Sequence, residues 1–291
     1  MESPLIYDDL EDVELKAQFK DMMGNSGTEE EVLAFLERVR QEVTANPILA
    51  RIVENEISLL DSVLMITDEN YVLNDEVYIP TIKVLIDANP SALLWSMHYE
   101  LPIQHINCKS SLCSLMPWIA DKHQWVLDHE SIIDDPPVFE LIELYYKNSI
   151  LSGDTTTSRG IAETIRQLIE IYPQSLSQHN SQGCIPLHMI VGAYDANLIK
   201  RMVQLCPSSV MAKTNGGLTP LHIACDCLTK FPGDTDTKEI CLFLLSKCPE
   251  SVRCATLQEG KYPIHYLLKH CQHQEVREVI VIFAEDLSRV L

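Results

Sequence analysis

The stretch Gly217-Leu218-Thr219-Pro220-Leu221-His222-Ile223-Ala224 contains a short motif that recurs along the chain. The motif is a tetrad in which proline precedes an aliphatic residue and then histidine. Because two further copies and two weaker ones occur in the same chain, the sequence indicates a protein built from repeats. The other copies are Ile185-Pro186-Leu187-His188 and Tyr262-Pro263-Ile264-His265, with weaker versions at Leu101-Pro102-Ile103-Gln104 and Pro137-Val138-Phe139.

A second proline motif precedes four of these tetrads at a nearly fixed distance. From its proline to the proline of the next tetrad, the chain advances 12 to 14 residues in every case. Two unrelated loops would not keep that distance four times, so we interpret both motifs as parts of one unit. The four copies are Asn89-Pro90-Ser91-Ala92-Leu93, Tyr172-Pro173-Gln174-Ser175-Leu176, Cys206-Pro207-Ser208-Ser209-Val210 and Cys248-Pro249-Glu250-Ser251-Val252.

The residue types of the tetrad are those of a helix start. Thr219 can accept hydrogen bonds from the free amides of a first turn, and Pro220 suits the first helical position, where no N–H is needed. We expect the histidine to tie neighbouring turns together. A second helix with an apolar stripe should follow, as at Ile161, Ile165, Leu168 and Ile169, and the second proline motif should end it.

The tetrad prolines lie 34 to 49 residues apart, and the shorter spacings match a repeat of about 33–35 residues. With its Thr-Pro-Leu-His tetrad, the sequence resembles the ankyrin repeat family, most clearly over residues 186–222 and more weakly over 60–291. This resemblance implies an all-α solenoid of about six helix-turn-helix repeats with an N-terminal helical cap. In the first repeats the histidine is absent or shifted. Two polar insertions, 147–160 and 229–237, lengthen later repeats and are predicted to be loops.

We divide the chain into three regions. Residues 1–25 are predicted to form an acidic arm with some mobility. Residues 26–57 should be an N-terminal helical region, because Thr28 and Glu31 form a capping box and apolar residues follow at helical spacing. Asn46-Pro47 would interrupt this region before a second helix. Residues 58–291 are predicted to be the ankyrin repeat array, clearest at 182–257.

Composition narrows the class of protein. Of the 291 residues, 46% are apolar and 22% charged, which excludes wholesale disorder. The net charge is −20, and residues 1–100, with 21 acidic and 6 basic side chains, contribute −15 of it. A chain with this negative charge repels phosphate backbones and anionic lipids. We therefore expect neither a nucleic acid nor a membrane partner. A basic protein partner, or solubility alone, accounts for the charge.

The ten cysteines raise the question of compartment. The opening MESPLIYDDLEDVEL lacks the basic and apolar regions of a signal peptide, and the longest apolar run near the C-terminus, 279–284, is too short to span a bilayer. We therefore expect reduced thiols in the cytosol, with the nucleus as the alternative.

The cysteines could bind zinc or act as catalytic thiols instead of packing in the core. Neither the paired Cys-x2-Cys spacing of a zinc site nor a recognised catalytic motif is present. We expect no enzymatic activity, no metal and no cofactor, and we interpret the cysteines as small buried apolar residues. The clusters considered for zinc are His222, Cys225 and Cys227; His105, Cys108 and Cys113; and His265, His270, Cys271 and His273.

The resemblance implies a protein-interaction module, an adaptor or scaffold, that binds a protein through the concave face of stacked repeats. In the family, partners contact the hairpin tips and the inner helices. A second hypothesis is a regulatory subunit whose acidic N-terminal region masks or recruits a basic partner. The oligomeric state stays open. The positions that match the family's contact sites are Met97, His98, Glu100, Ser181, Gln182, Cys184, Asn215, Leu218, Asp226, Gln258, Glu259, Lys261, Lys269 and His270.

Overall fold

The computed structural model describes residues 4–6, 14, 17, 29–54, 57–65, 75–95, 101–108, 112–129, 136–231, 233–269 and 272–290. Most of the predicted acidic arm over residues 1–25 thus lies outside the described residues. The chain divides into two compact units, Met1–Leu127 and Asp128–Leu291, which are described separately below. In the described parts of both units, helices dominate, and the predicted all-α class is confirmed.

The first unit contains six described α-helices and three very short strands. The helices are α1 (Glu29–Ala45), α2 (Leu59–Met65), α3 (Asp75–Ala88), α4 (Pro102–Cys108), α5 (Met116–Lys122) and α6 (Gln124–Leu127). The strands are β1 (Leu5–Ile6), β2 (Ile52–Glu54) and β3 (Ile57–Ser58). Short 3-10 turns occupy Pro47–Arg51, Pro90–Leu94 and Cys113–Leu115.

Helix α1 has the apolar face that its spacing predicts. Val32, Phe35, Leu36, Val39 and Val43 are all buried, and the helix packs against α3. The predicted second helix after Asn46-Pro47 is wrong in part. The chain makes a 3-10 turn there and then enters β2, where Ile52 and Val53 pair with β1 in parallel register and Val53 and Glu54 pair with β3 in antiparallel register. Consecutive β-branched residues favour this extended backbone.

The second unit consists of four successive helix pairs. The first helix of each pair begins at a tetrad proline, and the second helix follows after a short connection. The pairs are α7 (Pro137–Tyr146) with α8 (Thr155–Ile171), α9 (Pro186–Val191) with α10 (Ala196–Leu205), α11 (Pro220–Lys230) with α12 (Thr235–Lys247), and α13 (Pro263–Leu268) with α14 (Gln274–Val290). A π-helical segment, Lys147–Ser152, extends α7.

The two proline motifs both mark the boundaries that the sequence predicts. All five tetrad prolines begin an α-helix, including Pro102 and Pro137 of the weak copies. The second motif ends the preceding helix, as expected, but its proline also opens a 3-10 turn of five residues. These turns are Pro90–Leu94, Pro173–Ser177, Pro207–Met211 and Pro249–Arg253. Proline suits this position because a first-turn residue needs no N–H donor.

The predicted core of the second unit is confirmed. Ile161, Ile165, Leu168 and Ile169 of α8 are buried, and helix pairs contact their neighbours along the chain. Among the described residues, no helix is long and apolar enough to cross a bilayer.

The two insertions are mostly helical, so the loop prediction is wrong for them. Residues 147–152 continue α7 as a π-helix, Gly153 turns the chain with φ +67°, and Asp154 caps α8 through the amides of Thr156 and Thr157. In the second insertion, residues 229 and 230 end α11 and 235–237 begin α12, which Asp234 caps. The polar residues that suggested loops act here as helix caps and first-turn residues.

Candidate protein-interaction surface

The tetrad histidines hold successive repeats together. The Nδ1 atom of His222 accepts the N–H of Thr219 at 3.1 Å, while its Nε2 faces the carbonyl of Lys261 at 3.2 Å in the next repeat. Since Nδ1 accepts an N–H, the proton sits on Nε2. The Thr219 hydroxyl lies 2.9 Å from the same Nδ1, so it contacts the histidine ring. His188 repeats the arrangement, because its Nε2 atom faces two backbone carbonyls that precede the next tetrad.

Burial sets the protonation of these two rings. His188 is 3% exposed and His222 is 0% exposed. Removal from water lowers the pKa of both histidines, more than their backbone hydrogen bonds raise it. Both rings are therefore neutral near pH 7 and act as fixed hydrogen-bonding links. His222 has both nitrogens occupied in this role, which leaves neither available for the zinc site considered from the sequence.

Three described hairpins between repeats of the second unit are each closed by a polar side chain and a glycine. In the hairpin at residues 180–184, Oδ1 of Asn180 accepts the N–H groups of Gln182 and Cys184 at 3.0 and 2.9 Å. Thr214 and Thr256 make related bonds in the hairpins at 214–218 and 256–261. Gly183, Gly217 and Gly260 have positive φ angles, which a residue without a β-carbon adopts at little cost.

The three hairpin tips are bonded to one another in a row. The N–H of Asn215 donates to the carbonyl of Gln182 at 3.0 Å, and its side-chain amide donates to the carbonyl of Ser181 at 3.1 Å. The N–H of Leu257 donates to the carbonyl of Gly216 at 2.9 Å. We call residues 180–184, 214–218 and 256–261 the tip row.

The tip row brings together most of the contact positions predicted from the sequence. Ser181, Gln182, Asn215, Gln258 and Glu259 are exposed, whereas Cys184, Leu218 and Lys261 are half-buried. Lys261 forms an ion pair with Glu259 within the last tip. The side chains at the tips are thus mainly polar and of mixed charge.

The remaining predicted positions lie elsewhere. Asp226 stands near the C-terminal end of α11 and pairs with Lys230 at 2.7 Å. Lys269 follows α13, with its ammonium 5.3 Å from the centroid of the Tyr266 ring. These two residues therefore mark the far ends of first helices. Met97, His98, Glu100 and His270 lie outside the described residues.

An aromatic group at the C-terminal ends of the first helices was missed by the sequence analysis. Tyr146 ends α7, Tyr194 follows α9 and Phe231 follows α11. The rings of Tyr194 and Phe231 meet edge to face with centroids 5.3 Å apart. Tyr194 has φ +62°, a strained angle for a residue with a side chain. The sequence carried one signal for this group, since each of the three aromatics lies 8 to 11 residues after a tetrad proline.

Beside Tyr146 lies a cavity of about 370 Å³ between α7, its π-helical extension and α9. Its walls are mainly apolar. The lining residues are Ile142, Glu143, Tyr146, Lys147, Leu151, Met189 and Gly192.

The cysteines of α11 and α12 are packed in the core. Cys225 and Cys241 are both 0% exposed, with their sulfur atoms 3.7 Å apart. Burial is the main cause that raises the pKa of the Cys225 thiol well above its usual value, so it stays protonated. Within the ranges the structure describes, no group of three or more His, Cys, Asp or Glu side chains is placed to hold a metal ion.

The similarity of this chain to known proteins lies in structure. No protein-family model matches the chain, and no curated protein matches it in sequence. Among solved structures, the chain is similar to the crystal structure of EF0377, an ankyrin repeat protein, with 11% sequence identity and a TM-score of 0.42. The match covers 88% of this chain and 98% of that one.

Proposed function

We propose that this protein is a non-catalytic protein-interaction module, an adaptor or scaffold, which binds a protein partner through the tip row and the ends of the first helices. The observation that carries this proposal is the bonding of the tips to one another. Three consecutive tips share backbone hydrogen bonds between repeats while they keep the side chains of Gln182, Asn215 and Gln258 exposed.

A surface of this kind suits partner binding because its backbone is already ordered. Association costs less free energy when the contacting segments do not have to be immobilised at the moment of binding. Asn180, Thr214 and Thr256 supply that order within each tip, and the bonds from Asn215 and Leu257 supply it between tips. A partner can then contact the exposed side chains of the tip row.

Affinity capture from the native cell with the full chain tests the proposal. Gln182→Asp and Gln258→Asp place a charge on the tip row at exposed positions, and Gln204→Asp places the same charge on the exposed surface of α10. We expect the two tip variants to lose a partner that wild type and Gln204→Asp retain, with unchanged circular dichroism. Equal capture by all four proteins contradicts the proposal.

The acidic first hundred residues motivate a second candidate function. With a net charge of −15, this region would attract a basic partner, which it would mask or recruit. Such an association should weaken steeply as ionic strength rises, whereas an apolar interface should respond little. Binding measured at low and high salt, with the first 25 residues present, separates the two candidates.

A further inference from the structure

The cavity beside Tyr146 exists because of the insertion in this repeat. The π-helical turn at 147–152 carries Leu151 over the side of α9, where it faces Met189 and Gly192 across the cavity. Leu151 is 71% exposed. Single turns of π-helix are often found at functional sites.

The turn that forms this wall is fixed at both ends. It continues α7 directly, and the Asp154 N–H donates to the carbonyl of Asn148 at 3.0 Å just before α8 begins. The side chain of Asn148 in turn donates to the carbonyl of Leu144 at 2.8 Å. The backbone that carries Leu151 is therefore bonded on both sides, so this residue can form one wall of a binding site.

The opposite wall is open because residue 192 has no side chain. A β-carbon built on Gly192 would meet only the Met189 carbonyl, at an ordinary contact distance of 3.5 Å, and the backbone there is right-handed helical. A β-carbon at this position would thus be tolerated. Glycine is not required by the local backbone, but it keeps the cavity clear.

The charges around the cavity favour one kind of occupant. Two charged side chains line the cavity, Lys147 and Glu143, and they lie 3.9 Å apart and offset each other. The unit that contains the cavity, residues 128–291, holds 20 acidic and 14 basic side chains, so its net charge is −6. An acidic segment would meet repulsion here, whereas a basic one would be drawn in.

We propose that this cavity receives one large apolar side chain from a basic segment of the partner protein, with Tyr146 and Leu151 as the contacting walls. The inference rests on the proposed interaction function and names the chemistry of the partner. A volume of about 370 Å³ is at the lower end of the range for binding pockets, about 300–1,000 Å³, and suits an anchor side chain. Anchors of this type dominate many protein interfaces.

Selection of short random peptides displayed on phage, against the purified full chain, tests the inference without a known partner. We expect the enriched peptides to combine a large apolar residue with flanking Lys or Arg. Their synthetic forms are then titrated by fluorescence anisotropy. Gly192→Leu, which fills the cavity, should weaken binding at least about tenfold. Gly160→Leu is the matched control, since a β-carbon there meets open space on the exposed side of α8.

A second variant guards against an indirect effect of Gly192→Leu. Leu151→Ser removes the exposed wall, and we expect it also to weaken the same peptides, with unchanged circular dichroism for all variants. Enriched peptides that are acidic or lack apolar residues would overturn the inference. Binding of the peptides by Gly192→Leu with the affinity of wild type would overturn it too. A selection that enriches nothing, or a small molecule that native mass spectrometry finds in the cavity, overturns it as well.

Failure here is distinguishable from failure of the proposed function. A cellular partner lost by Gln182→Asp and Gln258→Asp but retained by Gly192→Leu would refute the cavity inference and leave the interaction function standing. A partner retained by all of these variants would count against both.

Discussion

The side-chain carbonyl of Gln104 accepts the backbone N–H of Leu101 at 2.8 Å. In the later repeats, Nδ1 of a tetrad histidine accepts the corresponding N–H, as His188 does from Ile185 at 3.1 Å. The weak repeat therefore keeps the hydrogen bond that begins its first helix, with an amide in place of an imidazole. The two side chains differ in one respect that can be measured, because only the histidine can be protonated near neutral pH.

This difference predicts a pH-dependent stability that glutamine removes. The pKa values of His188 and His222 are lowered by burial, so the unfolded chain takes up protons first as the pH falls. Their stabilising effect is complete above about pH 6.5 and is lost as the pH falls towards the lower pKa of the folded state. Each histidine should contribute a fall in unfolding free energy of at most about 1.4 kcal/mol per pH unit.

Urea denaturation between pH 7.5 and pH 5 measures this slope. The double variant His188→Gln and His222→Gln should show a flatter dependence, together with a loss of about 1 kcal/mol for each Nε2 bond removed. His265→Gln is the control, because that tetrad histidine is exposed whereas His188 and His222 are buried. An equal slope in the double variant would show that other groups cause the pH dependence.

The close contact between tips predicts unequal effects of three glycine substitutions. A β-carbon at Gly183 would lie 2.9 Å from the backbone N of Asn215, and one at Gly217 would lie 2.9 Å from the backbone N of Leu257. At Gly260 nothing lies within 4 Å. All three share a positive φ angle, which alone costs an alanine about 1–2 kcal/mol.

We therefore expect Gly260→Ala to lower the unfolding free energy by about that amount, and Gly183→Ala and Gly217→Ala to lower it further. Thermal and urea unfolding of the three variants provide the comparison. Three equal losses of unfolding free energy would show that the tips are not in close contact, which would contradict an ordered tip row.

Repeat boundaries could be predicted from the sequence because proline acts locally. Pro186, Pro220 and Pro263 remove a donor and fix φ wherever they occur, so their effect does not depend on distant residues. The strand β2 could not be foreseen in this way. Ile52 and Val53 are compatible with either helix or strand, and the choice follows from pairing with Leu5 and Ile6, far away in the chain.

The candidate site was predictable only at the level of position. The spacing before each tetrad placed Gln182, Asn215 and Gln258 at turns, and the structure places them in the tip row. The bonds between tips depend on the distance between repeats, which no local pattern encodes. The cavity depends on the helical state of residues 147–152, whose polar composition favoured a loop.

The cysteines are predicted to differ sharply in reactivity. Cys225 and Cys241 are buried in the core, whereas Cys206 is half-exposed at the start of a 3-10 turn. Because the thiolate is the reactive form, the raised pKa of Cys225 adds to the effect of poor access. We expect iodoacetamide to modify Cys206 in the native protein and Cys225 only after unfolding.

Peptide mass mapping after timed labelling checks this expectation, with urea-unfolded protein as the reference for full reactivity. Modification of Cys225 as fast as Cys206 in folded protein would reopen the hypothesis of a reactive thiol at this position.

Asp195, the N-cap of α10, allows a test of how much charge and how much hydrogen bonding contribute to the free energy of unfolding. Oδ1 of Asp195 accepts the Leu198 N–H at 2.9 Å, and the carboxylate also lies 3.7 Å from Arg166. Asparagine preserves the cap but removes the charge, whereas alanine removes both, together with the acceptor of the Tyr145 hydroxyl 3.3 Å away. Since asparagine is as good an N-cap residue as aspartate, Asp195→Ala should lower the unfolding free energy by about 1 kcal/mol more than Asp195→Asn. If urea denaturation gives equal losses, the ion pair with Arg166 outweighs the cap; if only alanine destabilises, the hydrogen bonds of this side chain, and not its charge, stabilise the helix start.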